Sequence, residues 1–286
     1  MRIICLGAES LGARSAACFV ESGRRRILID PGVALGPHRS GLPPHPREQE
    51  AARSIRSAIC NAADCATDIV VSHYHGDHVP LAHPDISQIA IADISLRPDV
   101  RFWCKGPEGI SRRSRIRRDD LVRSWGPAAA RPAEGHGDDT LRCSPSVPHG
   151  TSGGRGGAVM MTCITEGDER FVHASDIQLM NDESIDLICR WRPTIVLASG
   201  PPLYRTAIRP EECEDAAARA RRLLCFARTL ILDHHLLRSF DGLAWLRDTA
   251  DGTGGGIVSA AEFMGRSPLL LEASRARLYQ EEPQGS

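Results

Sequence analysis

Six consecutive residues, His73-Tyr74-His75-Gly76-Asp77-His78, constrain this chain more than any other stretch. They follow the apolar run Ile69-Val70-Val71, with Ser72 at the junction. Three imidazoles and a carboxylate therefore gather where a buried strand is expected to end. These are the ligand types that zinc and related divalent metals take. His73 and His75 are two apart, so in extended backbone they point the same way. Gly76 is expected to supply the turn that brings Asp77 and His78 toward a second position nearby. One short loop can then serve two metals. A solvated, histidine-rich surface turn is the competing reading. It leaves the rest of the chain unexplained. Val147-Pro148-His149, Phe171-Val172-His173-Ala174-Ser175-Asp176 and Leu230-Ile231-Leu232-Asp233-His234-His235 each end a strand-like run on a potential ligand.

The order H-x-H-x-D-H after an apolar strand, then a distant His, a distant Asp and a last His, resembles the metal pattern of the metallo-β-lactamase superfamily. The resemblance runs nearly end to end. Ile27-Leu28-Ile29-Asp30-Pro31-Gly32 looks like the early strand and Asp-x-Gly turn of that fold. Six segments resemble one subfamily of it, known largely from archaea and some bacteria. They are Glu9 to Ser15, Asp30-Pro31-Gly32-Val33-Ala34-Leu35-Gly36-Pro37, Gly41 to Pro46, Ser199-Gly200-Pro201-Pro202, Leu232-Asp233-His234-His235-Leu236-Leu237-Arg238 and Ala260-Ala261-Glu262-Phe263-Met264-Gly265.

The resemblance implies an α/β fold, an αββα sandwich of two mixed sheets packed face to face with helices outside. It also implies a ligand set. His73, His75 and His149 would hold a first metal. Asp77, His78 and His234 would hold a second, and Asp176 would bridge both. His235 is the alternative last ligand, and whichever of the pair is not a ligand would stand just behind the site. Asp77 would also orient the nucleophile. Candidates for supporting contacts are Asp30, Ser72, Ser175 and Asp233. Tyr74 either meets substrate or packs beneath the loop. Tyr204, in the turn after Ser199, either binds substrate or belongs to a proline-stiffened connection.

Two divalent ions at such a site, zinc first with iron or manganese as alternatives, lower the pKa of bound water from about 15.7 to about 7. The expected activity is a dinuclear hydrolase that uses metal-bound hydroxide on a small-molecule ester, amide, lactone or phosphoester. Non-hydrolytic iron or manganese redox or lyase chemistry is a second reading, and a metallo-nuclease is a third. A metal serving only as a structural staple would close its coordination shell, whereas seven ligands for two ions leave positions open.

At 286 residues the chain can form one large α/β domain or two small ones. No internal boundary frees a second domain, so one domain over 1–286 is expected. The formal net charge of −1 gives no global pull toward nucleic acid or an anionic membrane. Nucleic acid is thus disfavoured as a partner. Lys105 is the only lysine, which fits a high-GC genome. No apolar stretch suits a signal peptide or a membrane span. The ten cysteines include no C-x-x-C pair, and Cys5, Cys18, Cys163 and Cys189 sit in apolar runs as buried thiols. A reducing cytoplasm is expected.

Strands alternate with helices in two successive halves, the second repeating the first in kind. The proline-rich segment Pro37 to Pro46 cannot be an interior element. Its His38 and His45 are expected to be exposed, with substrate contact as the alternative. Residues 84–135 form an irregular insert suited to a lid or a homodimer contact. The basic run Arg112 to Arg118 lies there on an expected helix, as a solvated face or a phosphate contact. Gly126 to Asp138 and Gly150 to Gly157 read as loops.

Overall fold

A computed structural model describes residues 1–126, 131–151, 157–205, 207–254 and 256–282. The first half contains β1 (Arg2–Cys5), β2 (Cys18–Ser22), β3 (Arg25–Ile29), α1 (Pro46–Cys65), β4 (Asp68–Val71), β5 (Arg101–Cys104), α2 (Arg112–Trp125) and β6 (Arg131–Pro132). The second contains β7 (Leu141–Pro148), β8 (Ala158–Glu166), β9 (Glu169–His173), α3 (Asp182–Arg190), β10 (Ile195–Ala198), α4 (Pro210–Leu224), β11 (Thr229–Leu232), α5 (Phe240–Ala250), β12 (Ile257–Val258), α6 (Ala260–Phe263) and α7 (Leu271–Glu281).

Each half makes a six-stranded sheet, in the orders β1-β2-β3-β4-β5-β6 and β12-β11-β10-β9-β8-β7. Both sheets use the same scheme. The first three strands pair antiparallel and the rest are parallel. Even the tight turns match. β2 and β3 are joined through Gly23 at φ 57°, and β8 and β9 through Gly167 at φ 58°. That left-handed backbone suits glycine.

Strand periodicity sorts the side chains into layers. Ile27, Ile29 and Val70 of the first sheet meet Met160, Phe171, Leu197 and Ile231 of the second. The alternate residues Leu28, Ile69 and Val71 face outward onto Ile55 and Ile59 of α1 and Leu121 of α2. Val172, Val196 and Leu230 pack on Ile185 of α3, Ala220 of α4 and Leu246 of α5. Three apolar layers between four tiers of structure make the αββα sandwich. Burying each such side chain is worth roughly 1.5–3 kcal/mol, so both faces of the central strands are committed to the core.

Several details differ from the sequence reading. The apolar spacing of Ala51, Ala52, Ile55 and Ile59 predicts a helix over Glu48 to Cys60, but α1 runs from Pro46 to Cys65. His45 is buried, not exposed, because its side chain accepts the Arg47 N–H and caps α1, with Glu48 closing the box. The expected loop 126–138 contains the edge strand β6, with Pro132 tolerated at an edge. Its residues 127–130, and residues 152–156 of the expected loop Gly150 to Gly157, lie outside the described residues. β12 carries no periodic signal in two residues. Among the described residues, no helix is long and apolar enough to cross a membrane.

Candidate metal centre

The C-terminal ends of β3, β4, β7, β9 and β11 deliver Asp30, the His73–His78 loop, His149, Asp176 and His234 to one place. The loop turns through a hydrogen bond from His78 N–H to the His75 carbonyl, at 3.1 Å. Gly76 leaves room for that turn, since a Cβ there would sit 3.0 Å from Gln88, but its φ is not left-handed. The glycine that closeness requires is Gly32. A Cβ on it would lie 2.3 Å from the Val79 nitrogen and 2.4 Å from the His78 carbonyl carbon.

Four groups form the first cluster: His73, His75, His149 and Asp176. His73 Nε2 lies 3.0 Å from His75 Nδ1. Asp176 Oδ2 stands 2.7 Å from His149 Nε2, 3.3 Å from His73 Nε2 and 3.7 Å from His75 Nδ1. The second cluster joins Asp77, His78 and His234. His78 Nε2 and His234 Nε2 are 3.3 Å apart, and His234 Nε2 is 3.4 Å from Asp77 Oδ2. Asp176 Oδ1 faces both, at 3.1 Å from His78 and 3.4 Å from His234. A tetrahedral ion with bonds of about 2.0–2.1 Å spaces its ligands by about 3.3–3.4 Å. In the second cluster three of these distances match that spacing, and the His78–Asp176 distance of 3.1 Å is slightly shorter.

Two further observations fit a cation. Ring nitrogens that face each other at 3.0 and 3.3 Å need a proton or an ion between them. Among the described residues, buried Asp176 Oδ1 receives no well-aligned hydrogen bond, although His78 Nε2 lies 3.1 Å away.

The outward nitrogens are held by other side chains. His78 Nδ1 lies 3.0 Å from Asp30 Oδ2, and His73 Nδ1 lies 2.9 Å from Ser72 Oγ. Asp30 also accepts from the Ser72 N–H (2.8 Å), the Ser72 hydroxyl (2.7 Å) and the Ser175 hydroxyl (2.8 Å). Gln178 meets His149 Nδ1 at 3.2 Å, where an amide oxygen would fix the Nδ1–H tautomer. Asp30, Ser175 and His234 have φ of 49°, 52° and 36°, uncommon for non-glycine residues.

The charges are tightly coupled. Burial opposes a proton on His78, but Asp176 and Asp30 overcome it and hold its pKa well above the usual value. Burial, then the neighbouring His78 and His75, pushes His73 down to about 3. Burial and the Arg238 charge push His234 down to about 4. Burial raises the Asp77 and Asp176 carboxyls, yet the surrounding imidazoles win and keep both well below the carboxylate range.

A UPF0282 protein of Methanosarcina mazei is 48% identical over 283 residues, covering 99% of this chain and 93% of that one. The chain belongs to the UPF0282 family. A UPF0282 protein of Methanopyrus kandleri is 36% identical over 298 residues, covering 99% of this chain and all (100%) of the relative. No protein-family model matches the chain. Among solved structures, the metallo-beta-lactamase fold protein YhfI from Bacillus subtilis aligns at TM-score 0.50 and 13% identity, over 90% of this chain and 95% of YhfI. Tm1679, a metal-dependent hydrolase of the beta-lactamase superfamily, aligns at TM-score 0.53 and 12% identity, over 91% and 95%. This UPF0282 chain therefore has the metallo-β-lactamase fold.

The seven ligands expected from sequence all meet in the UPF0282 site. His234 and His235 both cluster with Asp176 but face different ways. His234 Nε2 faces Asp77 and His78, whereas His235 Nε2 points at Asp176 Oδ2 from 3.1 Å. Tyr204 stands behind His235, its hydroxyl 3.3 Å from Nδ1. Tyr74 packs beneath the loop, buried, with its hydroxyl donating to the Lys105 carbonyl. Asp233 touches no ring. It accepts the N–H groups of Ser10, His234 and Ala260 and so fixes the backbone entering His234. His38 is exposed, and His173 Nε2 donates to the Ala16 carbonyl, 2.8 Å away. The sequence reading assigned no role to Glu9, Gln178 or Arg238 of this UPF0282 chain. Buried Arg238 reaches Asp77 (3.3 Å), Glu9 (3.3 Å) and His234 Nε2 (2.9 Å). Glu9 and Arg238 lie within the segments that carry the family resemblance, which was the available signal.

Proposed function

We propose that this chain is a dinuclear metal-dependent hydrolase acting on a small-molecule ester, amide, lactone or phosphoester. The observation that carries the reading is the Asp176 carboxylate, whose two oxygens face two separate histidine clusters. His73, His75 and His149 would hold one ion, Asp77, His78 and His234 the other, and Asp176 would reach both. The nitrogen-rich donor set suits zinc first, and iron or manganese next. When bound, such ions supply Lewis acidity and make water acidic enough to ionise near neutral pH.

The protein's own groups do the positioning. Asp30 keeps a proton on His78 Nδ1, leaving Nε2 free to ligate. Ser72 plays the same part at His73. Asp77 is partly exposed beside the clusters and would orient the attacking water. His235, backed by Tyr204, offers a further polar contact on the His149 side of Asp176. The ten free cysteines suit a reducing cytoplasm.

The test is elemental analysis of protein purified without added metal, alongside Asp77→Ala and His149→Ala. About two zinc ions per chain, reduced in both variants, with turnover on a panel of esters, lactones and phosphodiesters, is expected. Iron with oxygen-dependent turnover would replace hydrolysis by redox chemistry on the same ligands. No metal in any preparation, with unchanged stability in the variants, would refute the site.

A further inference from the structure

The basic run on α2 has a part that the metal centre does not use. Arg113 and Arg117 stand one helical turn apart and line one cavity of about 520 Å³. The inner wall of that cavity is Gly76 and Asp77 of the ligand loop. Arg117 is anchored there. Its Nη1 donates to the Tyr74 carbonyl at 3.0 Å, and a Cβ on Gly76 would lie 3.5 Å from its Nη2.

Of the other charged groups lining the cavity, Asp77 pairs with Arg238 and His234, while Asp85 is held by hydrogen bonds alone. Arg14 forms a two-point pair with Glu272, at 2.7 and 2.5 Å. Asp85 accepts from the Ser87 N–H and hydroxyl, at 2.8 and 2.6 Å. Elsewhere on α2, Arg118 pairs with Asp119 and Arg123 with Asp120. Arg113 and Arg117 have no ion-pair partner among the described residues. Burial lowers the Arg117 pKa, the Arg113 charge lowers it further, and the Asp77 carboxylate offsets only part of this. Like charges at i and i+4 disfavour a helix. Two guanidiniums facing a cavity without an ion pair of their own are an arrangement that an oxyanion completes.

We infer that Arg113 and Arg117 form an anion subsite that holds a phosphate or carboxylate group of the substrate beside Asp77. The inference rests on the hydrolase reading, and deepens it by assigning an anionic substrate. Arg113 is exposed and Arg117 half-buried, so the subsite is open to solvent.

Calorimetric titration of the metal-loaded protein with inorganic phosphate, at fixed ionic strength, tests this. Metal content is measured on the same samples. Phosphate binding is expected to weaken about tenfold or more in the R113Q/R117Q double variant, with part of that loss in R113Q alone. R112Q, outside the cavity, should bind as the parent does. Metal content should be equal in all four proteins. Succinate bound in place of phosphate, with the same dependence on both arginines, would support the subsite and name the group as a carboxylate. Equal phosphate affinity in parent and double variant, at equal metal content, would overturn the subsite and leave the hydrolase reading standing. Binding of a single-stranded oligonucleotide instead, steeply salt-dependent and weakened as much by R112Q as by R113Q, would also overturn it in favour of a diffuse basic face. R113Q alters only an exposed side chain, so it remains informative if the double variant misfolds.

Discussion

Replacing Asp30 by Asn keeps the shape of the side chain and removes its charge, which isolates what the carboxylate does. Oδ1 accepts the Ser72 N–H at 2.8 Å. Oδ2 takes the Ser72 and Ser175 hydroxyls, at 2.7 and 2.8 Å, and faces His78 Nδ1 at 3.0 Å. An amide can serve only one side. With its oxygen on Ser72, the NH2 group meets the Nδ1–H of His78. With the amide flipped, the NH2 group meets the buried Ser72 N–H. The hydroxyls can rotate to adapt, but the remaining donor–donor clash cannot. Losing one charge-assisted bond in this buried setting costs about 1.5–3 kcal/mol of stability. His78 would relieve the clash by moving its proton to Nε2, the nitrogen that faces Asp176 and His234. Loss of a supporting contact of this kind typically weakens metal binding by about 10–100-fold. The assay is competition for the metal against a coloured chelator, paired with urea unfolding of the metal-free protein. One ion should stay as tightly bound as in the parent, and the other should weaken. Unchanged affinity for both ions in Asp30→Asn would refute the role given to Asp30.

Two further tests concern protons. Because Asp176 and Asp30 hold a proton on His78 in the metal-free protein, metal binding at neutral pH should release about one proton from that side. Calorimetry in buffers of different ionisation enthalpy reads this directly, and zero release would contradict it. Far from the site, buried Asp68 accepts from Arg25 (2.5 and 3.0 Å), Arg101 (2.9 Å) and Trp103 (2.9 Å). Burial alone would raise its carboxyl, but the bonds from Arg25, Trp103 and Thr67 lower it below the ordinary 3.8. Its stabilisation is therefore present above that value and lost as pH falls through the lowered folded value. Asp68→Asn should cost about 1.5–3 kcal/mol at pH 7, because it removes charge-assisted bonds from a buried carboxylate while Arg25 keeps Asp138 as a partner. The gap between parent and variant should shrink as pH falls below 3.8, and a constant gap would refute the account.

The strands that build the core were legible because their periodicity was strong. Ile27, Leu28 and Ile29 alternate between two apolar layers, as a doubly buried strand must. The histidine motif was equally local. His73 and His75 share a direction at a spacing of two, and the same rule sends Tyr74 to the opposite side, where the structure has it. His149, Asp176 and His234 showed locally only as polar ends of strand-like runs, and the resemblance joined them into one set, since no local rule links ligands so far apart. The contacts of Arg238 with Glu9 and Asp77 span 229 and 161 residues and leave no trace in spacing. His45 went astray for another reason. Histidine is a rare helix cap, and only the fold reveals that its ring accepts a backbone N–H. β6 and β12 have two residues each, too few to show any period.

The hydrogen bond from the Ser175 hydroxyl to Asp30 crosses from one sheet to the other, between residues 145 apart in the chain. It has a temporal meaning. A ribosome delivers the His73–His78 loop early, yet that loop has neither Asp176 nor His234 to complete its clusters. The backbone entering His234 is set by Asp233, whose carboxylate waits for the N–H of Ala260. A chain released before that point carries exposed imidazoles but no finished cage. Cells hold metal ions against many competing ligands, so an unfinished chain should lose that competition where a complete one wins. Metal loading would then mark the end of synthesis and folding, and separate finished molecules from fragments.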